Sequence, residues 1–226
     1  MKILIAPDKF KGALNAREAA ENIAKGLRDA LPDAIIDIVP MADGGEGTAE
    51  AICDALGASW LKCKAHDPLG REIDARYVYI EKKKVAIMEM SEAAGMRRLS
   101  KNELDPLRAN TFGVGEMLLA AVRAAADEII IGLGGSATND GGFGMARALG
   151  FRFFEHEHEQ EQELRDRIAD LVRLRRVEKP KDLALPKIVA AVDADFRSDG
   201  NRTTKAAVSN RAVQCDSIPA ANINPE

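Results

Sequence analysis

Apolar residues fall into two alternating patterns along the first two thirds of this chain: short unbroken runs, and single positions that repeat every three or four residues. The runs have the length of strands and the spaced positions that of amphipathic helices. Lys2 to Ala6 predicts a strand that stops at Pro7-Asp8. Asn15 with Glu18 three residues on is a capping-box pattern, and Ala19, Ile23, Leu27 and Ala30 recur at helical spacing until Pro32 ends the helix. Ala34 to Val39 predicts a second strand, and the loop from Pro40 to Thr48 leads into another helix. Leu61 to Ala65, Ile73 to Ile80 and Val85 to Met90 predict three strands joined by turns at Asp67-Pro68-Leu69-Gly70 and Lys82-Lys83-Lys84, an antiparallel piece set into a parallel framework. Asn110 to Glu116 opens a helix, Ile129-Ile130-Ile131 predicts a buried strand, Gly144 to Leu149 a helix and Phe151 to Phe154 a strand. Beyond Phe154 the pattern deteriorates. Glu155 to Glu163 alternates Glu, His and Gln, Leu164 to Val177 predicts a highly charged helix, and Pro186 to Asp193 a last strand. Arg197 to Glu226 has no hydrophobic period and reads as a poorly ordered tail.

Composition sharpens this into an α/β protein. The chain has 226 residues, 46% hydrophobic but only 4% aromatic, so its core is built from Ala, Ile, Leu and Val. A formal charge of −4 supplies no basic face for nucleic acid, and no apolar run reaches the length of a membrane span. Asp8, Lys9 and Lys11 interrupt the apolar start at once, which argues against a signal peptide and for a cytoplasmic protein. Cys53, Cys63 and Cys215 are odd in number and form no C-x-x-C pair, so they are read as reduced thiols. His156 and His158 sit among glutamates and are read as part of a solvated segment rather than as metal ligands.

The chemistry is concentrated in two glycine-rich loops. Six of the eighteen glycines lie between Gly132 and Gly144, directly behind the isoleucine run. Glycines there let the backbone approach an anion without intervening Cβ atoms. Backbone N–H groups of Gly134, Gly135 and Ser136 are expected to cradle phosphate, Thr138 and Asn139 to orient it, and Asp140 to hold magnesium. Gly132 to Ala137 also satisfies the G-x-G-x-x-A fingerprint of a nicotinamide dinucleotide site, with Glu155 about 20 residues on as the ribose-binding acid. Against that, Asn139-Asp140-Gly141-Gly142 occupies the place of the helix's first turns, and such residues favour turns. The second loop, Asp43-Gly44-Gly45-Glu46-Gly47, also follows a strand, at the edge where parallel sheets bind ligands.

Five ordered motifs carry a family resemblance: Ala6-Pro7-Asp8-x-Phe10-Lys11-Gly12, Ala42 to Thr48, Pro68-Leu69-Gly70, Thr111-Phe112-Gly113-x-Gly115-Glu116 and Gly134 to Gly142. Together they resemble the bacterial ATP-dependent glycerate kinases. The resemblance is close through about Phe154. It implies two interleaved α/β subdomains, one flavodoxin- or Rossmann-like with a parallel sheet and one restriction-endonuclease-like with a mixed sheet, and substrate in the cleft between them. It also implies transfer of the γ-phosphoryl group of ATP, with magnesium, to a hydroxyl of D-glycerate, the 2-hydroxyl by the family pattern. Residues 1–195 then form the N-terminal part of the fold, with 61–108 as its mixed or antiparallel portion, and 196–226 is an atypical tail. Lys9 and Ala13 stand where the family commonly has serines, and Asp195-Phe196-Arg197-Ser198 stands where it has Asn-Pro-Leu.

On this pattern Asp8 or Asp43 is the general base, Asp43 or Asp140 the magnesium ligand, and Lys11 the cation that neutralises the γ-phosphate. Gly44 and Gly45 join the phosphate site. The carboxylate of glycerate calls for a cation or a helix N-terminus, and Arg71 or the stretch from Thr111 to Glu116 is expected to supply it. The expected partner is the small-molecule substrate D-glycerate, without nucleic acid or membrane, and a homo-oligomer is left open. Two other readings stand beside the kinase: a nicotinamide-dependent oxidoreductase, and a truncated relative without activity.

Overall fold

The computed structural model describes residues 1–10, 13–42, 44–155, 163–165 and 168–192, together with the backbone of 213–214. The chain opens with a β-α-β unit: β1 (Lys2–Ile5), α1 (Ala16–Ala30) and β2 (Ile35–Ile38). β1 and β2 pair in parallel, from Lys2 opposite Ile35 to Ile5 opposite Ile38. The capping box forms as expected. Asn15 accepts from the Glu18 N–H at 2.8 Å, and the Glu18 carboxylate accepts from the Asn15 N–H at 2.9 Å. Ala20 and Ala24 of α1 pack on Ile5, with Ile3, Leu27, Ile36 and Ile38 around them.

A second helix, α2 (Thr48–Leu56), leads into the larger sheet. Its strands are β3 (Ser59–His66), β4 (Glu72–Ile80) and β5 (Val85–Glu89), followed by the short helix α3 (Met90–Ala94) and the longer α4 (Phe112–Arg123). Then come β6 (Glu128–Gly132), α5 (Phe143–Ala148), the short strands β7 (Arg152–Phe154) and β8 (Arg176–Glu178), β9 (Lys187–Ala191) and β10 (Val213–Gln214). The sheet order is β10-β9-β6-β5-β4-β3. β5, β6 and β9 run parallel, while β3, β4 and β5 form an antiparallel meander.

Both faces of this sheet are covered, which explains the unbroken apolar runs at its centre. Ala86, Met88, Ile129 and Ile131 face Val114, Met117, Leu118 and Ala121 of α4. Val85, Ile87 and Ile130 face the other way, toward Ala49, Ile52 and Cys53 of α2. Among the described residues, no helix is long and apolar enough to cross a membrane.

One expected element is replaced. Leu164 to Val177 does not form a charged helix: its described part is a 3₁₀ turn, Ile168–Arg173, followed by β8, which pairs antiparallel with β7. Leu164, Leu171 and Leu174 make no continuous helical stripe and instead close over Phe143 and Phe153. The expectations for His156 and His158, for Asp193 and for almost all of the tail fall outside the described residues.

Candidate active site

The carboxyl ends of the parallel strands of both sheets open into one cleft of about 980 Å³. Asp8 and Lys9 after β1, and Pro40 and Met41 after β2, line one wall. Glu89 at the end of β5, Leu133 to Gly135 after β6 and Val192 after β9 line the other, with Gly45 to Gly47 between them. In open α/β sheets this is the edge where ligands bind.

The two glycine loops meet backbone to backbone here. The Gly134 N–H donates to the Gly44 carbonyl at 3.3 Å, and the Leu133 N–H donates to the Ala191 carbonyl at 3.2 Å. A Cβ on Gly132 would lie 2.4 Å from the Gly44 oxygen, and one on Gly134 would lie 2.5 Å from the Gly45 Cα. Gly44 has φ +83°, and a Cβ there would come within 2.8 Å of the Ala191 oxygen. These glycines therefore serve first to press one loop against the other. The Gly134 N–H, expected to face phosphate, is engaged by Gly44.

Beyond Gly135 the loop turns away from the cleft. Ser136 forms an antiparallel bridge with Gly95, and its Oγ lies 2.7 Å from Thr138 Oγ1 and accepts from the Thr138 N–H at 3.2 Å. Ser136, Thr138 and Asn139 do not line the cleft. Asp140 is 3% exposed. Its Oδ2 accepts from the Thr111 N–H at 2.9 Å, Thr111 Oγ1 at 2.8 Å and the Gly144 N–H at 2.9 Å, and its Oδ1 accepts from the Gly142 N–H at 3.1 Å. The expected magnesium ligand is thus a buried clamp joining the start of α4 to the start of α5.

The residues expected at the substrate carboxylate are also committed elsewhere. Arg71 pairs with Asp67 at 2.5 Å and with Glu103 at 2.6 Å. Glu116 accepts from the His66 N–H at 2.7 Å and lies 2.9 Å from His66 Nδ1. Thr111 is 2% exposed and, besides its bonds to Asp140, accepts from the Met145 N–H at 2.9 Å. None of the three lines the cleft. The glycines of their motif explain themselves by close packing: a Cβ on Gly113 would sit 1.8 Å from the His66 oxygen, and one on Gly115 would sit 2.5 Å from the Met145 oxygen.

Other groups take their place in the cleft. Asp8 lines it, with one oxygen accepting from the Lys9 N–H at 2.6 Å. The Lys9 ammonium donates to the Glu46 carbonyl at 2.9 Å, and Arg17 of α1 pairs with Asp54 of α2 at 2.5 Å, so two contacts tie the walls together. Glu89 is 8% exposed. Its Oε1 accepts from the N–H groups of Gly47 and Ala49 at 2.9 Å each, which places a carboxylate at the first turn of α2. Burial pushes the Glu89 carboxyl above its ordinary value, opposed by those two N–H groups, by Arg97 and by Ser91. Arg97 bridges Glu92 and, at 3.1 Å, Glu46. The Arg76 guanidinium stacks on Trp60, 4.2 Å from the ring centre. Sequence alone marks Glu89 only as an acid at a strand end, and its contacts at the start of α2 span 40 and 42 residues. Asp43 and Lys11 lie outside the described residues, although Ala42 and Phe10 beside them line the cleft.

The dinucleotide reading fails on geometry. The helix after Gly132 starts only at Phe143, behind Gly142 at φ +82°. The next strand, β7, joins β8 in a separate sheet instead of lying parallel to β6. Glu155, the expected ribose-binding acid, is paired with Arg173.

Residues 3–207 match the model of the glycerate kinase family. The chain is 38% identical over 193 residues to a glycerate kinase of Halalkalibacterium halodurans, covering 85% of this chain and 51% of that one. It is 45% identical over 150 residues to the glycerate 2-kinase of Escherichia coli, covering 66% and 39% respectively. A crystal structure from Salmonella typhimurium LT2, assigned as glycerate kinase 2, superposes with a TM-score of 0.67 at 39% identity, over 79% of this chain and 47% of that one. The chain spans about half the length of the relatives it matches. By these matches it belongs to the glycerate kinase family.

Proposed function

We propose that this chain carries the phosphate-handling half of an ATP-dependent glycerate kinase, which transfers the γ-phosphoryl group of ATP to the 2-hydroxyl of D-glycerate. The observation that carries the reading is the pair of glycine-rich loops, locked backbone to backbone where the parallel strands of two sheets end in one cleft. Phosphoryl transfer asks for positioning and charge cancellation more than for covalent chemistry, and a rigid double loop supplies the positioning.

In the reaction the substrate hydroxyl oxygen bonds to the γ-phosphorus, the bond to ADP breaks, and the hydroxyl proton needs an acceptor. Asp8 lines the cleft and takes that role as general base. Gly45 and Gly135 line the phosphate side. Lys11 and Asp43, by the family pattern, neutralise the γ-phosphate and hold magnesium. Magnesium held there would offset the charge on the transferred group. Asp140, with both oxygens committed, is left out of that set. Arg76 and Arg97 are the cleft's candidates to meet the glycerate carboxylate, in place of Arg71. The setting we infer is cytoplasmic.

The test is incubation of the purified chain with magnesium-ATP and D-glycerate, followed by phosphorus NMR. A phosphomonoester resonance coupled to the C2 proton is the expected product. Absence of both nucleotide binding and product overturns the reading.

A further inference from the structure

Arg97 lines the cleft with its two terminal nitrogens on carboxylates of unequal standing. Nη2 pairs with Glu92, whose side chain is 10% exposed, and Nη1 donates at 3.1 Å to Glu46, whose side chain is 52% exposed. Nε donates to the Ser91 carbonyl at 3.3 Å. Glu92 is fixed in turn: Arg98 pairs with its other oxygen at 2.9 Å and donates to its carbonyl at 2.7 Å, and the Arg76 N–H donates to that same oxygen at 3.3 Å. Buried groups therefore orient the guanidinium from behind and leave Nη1 facing an exposed partner. Among the described residues, Arg97 is the one partner of the Glu46 carboxylate. The Lys9 ammonium holds the Glu46 carbonyl, so the side chain can rotate off Arg97 without moving the loop.

We propose that Arg97 takes the carboxylate of D-glycerate, that Glu92 is its positioning residue, and that Glu46 is a resident counterion which the substrate displaces. The exchange conserves charge, because one carboxylate leaves Nη1 as another arrives, and a planar guanidinium held on one side suits such a group. Glycerol offers the same hydroxyls without a carboxylate, cannot release Glu46 and is rejected. Arg76 and Arg17 also line the cleft, but Arg76 lies over Trp60 and Arg17 pairs with exposed Glu21 and Asp54, with no buried carboxylate behind either guanidinium among the described residues. The proposal rests on D-glycerate being the substrate.

The test titrates the full chain with D-glycerate or glycerol and follows the arginine Nε–H resonances by NMR. D-glycerate, and not glycerol, is expected to move the Arg97 signal. Glu46→Gln should bind D-glycerate about two- to fivefold more tightly, the scale of an exposed ion pair. Glu50→Gln removes the same charge from the same cleft and should gain less than half as much. Arg97→Met should bind roughly tenfold more weakly or worse. Glu92→Gln should move the Arg97 signal before any ligand is added and weaken D-glycerate, while magnesium-ATP affinity stays within about twofold, a split that general destabilisation does not produce. Equal gains from Glu46→Gln and Glu50→Gln overturn the proposal, as does D-glycerate that leaves the wild-type Arg97 signal in place, a result that needs no variant to fold. D-glycerate that binds no form of the chain overturns it too. Magnesium-ATP shifts at Gly45, Gly134 and Gly135, scored in the same samples, then show separately whether the kinase reading stands.

Discussion

Replacing Gly134 by Ala adds one methyl group where two backbones touch. Its Cβ would lie 2.5 Å from the Gly45 Cα, 3.2 Å from the Gly45 nitrogen and 3.6 Å from the Gly44 oxygen. Ordinary contact begins at 3.4 Å, so the loops must part by about 1 Å. No side chain can swing aside, because the opposing atoms are backbone. Gly134 does not have a positive φ, so the effect comes from contact and not from backbone strain. Overpacking of this kind costs about 1–3 kcal/mol. The displacement also stretches the 3.3 Å hydrogen bond between Gly134 and Gly44, the link that holds the loops in register. A misplacement of about 1 Å at a reacting centre costs roughly 10²-fold in rate, so nucleotide handling suffers more than folding does. Urea midpoints and magnesium-ATP titrations of the wild type, Gly134→Ala and Gly26→Ala measure both effects. Gly26 lies in α1 with nothing within 4 Å of its Cβ position, so Ala there is expected to stabilise by roughly 0.5–1 kcal/mol. If Gly134→Ala matches the wild type in both midpoint and nucleotide affinity, close approach is not the reason for these glycines.

Further outcomes follow from the buried carboxylates and from α4. Glu89→Leu strands the Gly47 and Ala49 N–H groups and is expected to cost roughly 2–4 kcal/mol in urea unfolding, with Glu89→Gln milder because it keeps an acceptor. Because burial raises the Glu89 pKa in the folded state, the folded chain binds the extra proton first. Its contribution to stability is full below the ordinary carboxylate value and is lost as pH rises through the raised one. Glu89→Gln should therefore gain on the wild type as pH rises above the ordinary carboxylate value of about 4 and through the raised one, and parallel stability curves would refute this. Asp140→Ala should lower stability by at least about 3 kcal/mol, since four donors lose their acceptor. The milder Asp140→Asn should leave the magnesium dependence of nucleotide binding unchanged, and a shifted dependence would return Asp140 to the metal site. Gly113→Ala places a methyl group 1.8 Å from the His66 oxygen and should give little soluble protein, read out as expression yield.

The strands and helices of the first two thirds were legible because each has a local cause. Asn15 and Glu18 cap α1 wherever it packs, and Ile129-Ile130-Ile131 reads as a strand because both of its faces are covered. Leu164 to Val177 was misread because charge density suggests a helix, while its leucines answer to Phe143 and Phe153, which sequence does not bring near. The glycine loops stood out, and both lie at the cleft. Residue roles were less legible. Asp140, Arg71 and Glu116 look the same in sequence whether they meet a ligand or another part of the fold, and each has a partner far along the chain, 29, 32 and 50 residues away, beside the nearer ones of Asp140 and Arg71. Lys9, a departure from the family pattern, reaches across the cleft to the Glu46 carbonyl, which no local rule foretells.

Titration of the isotope-labelled chain with magnesium-ATP, followed by amide resonances, asks where nucleotide sits without requiring turnover. If the joined glycine loops form the phosphate site, the resonances of Gly45, Gly47, Gly134 and Gly135 move first and most, and those of the distant turn at Glu81–Lys83 stay in place. Loop resonances that stay still at saturating nucleotide, or movement confined to residues outside the cleft, would contradict it.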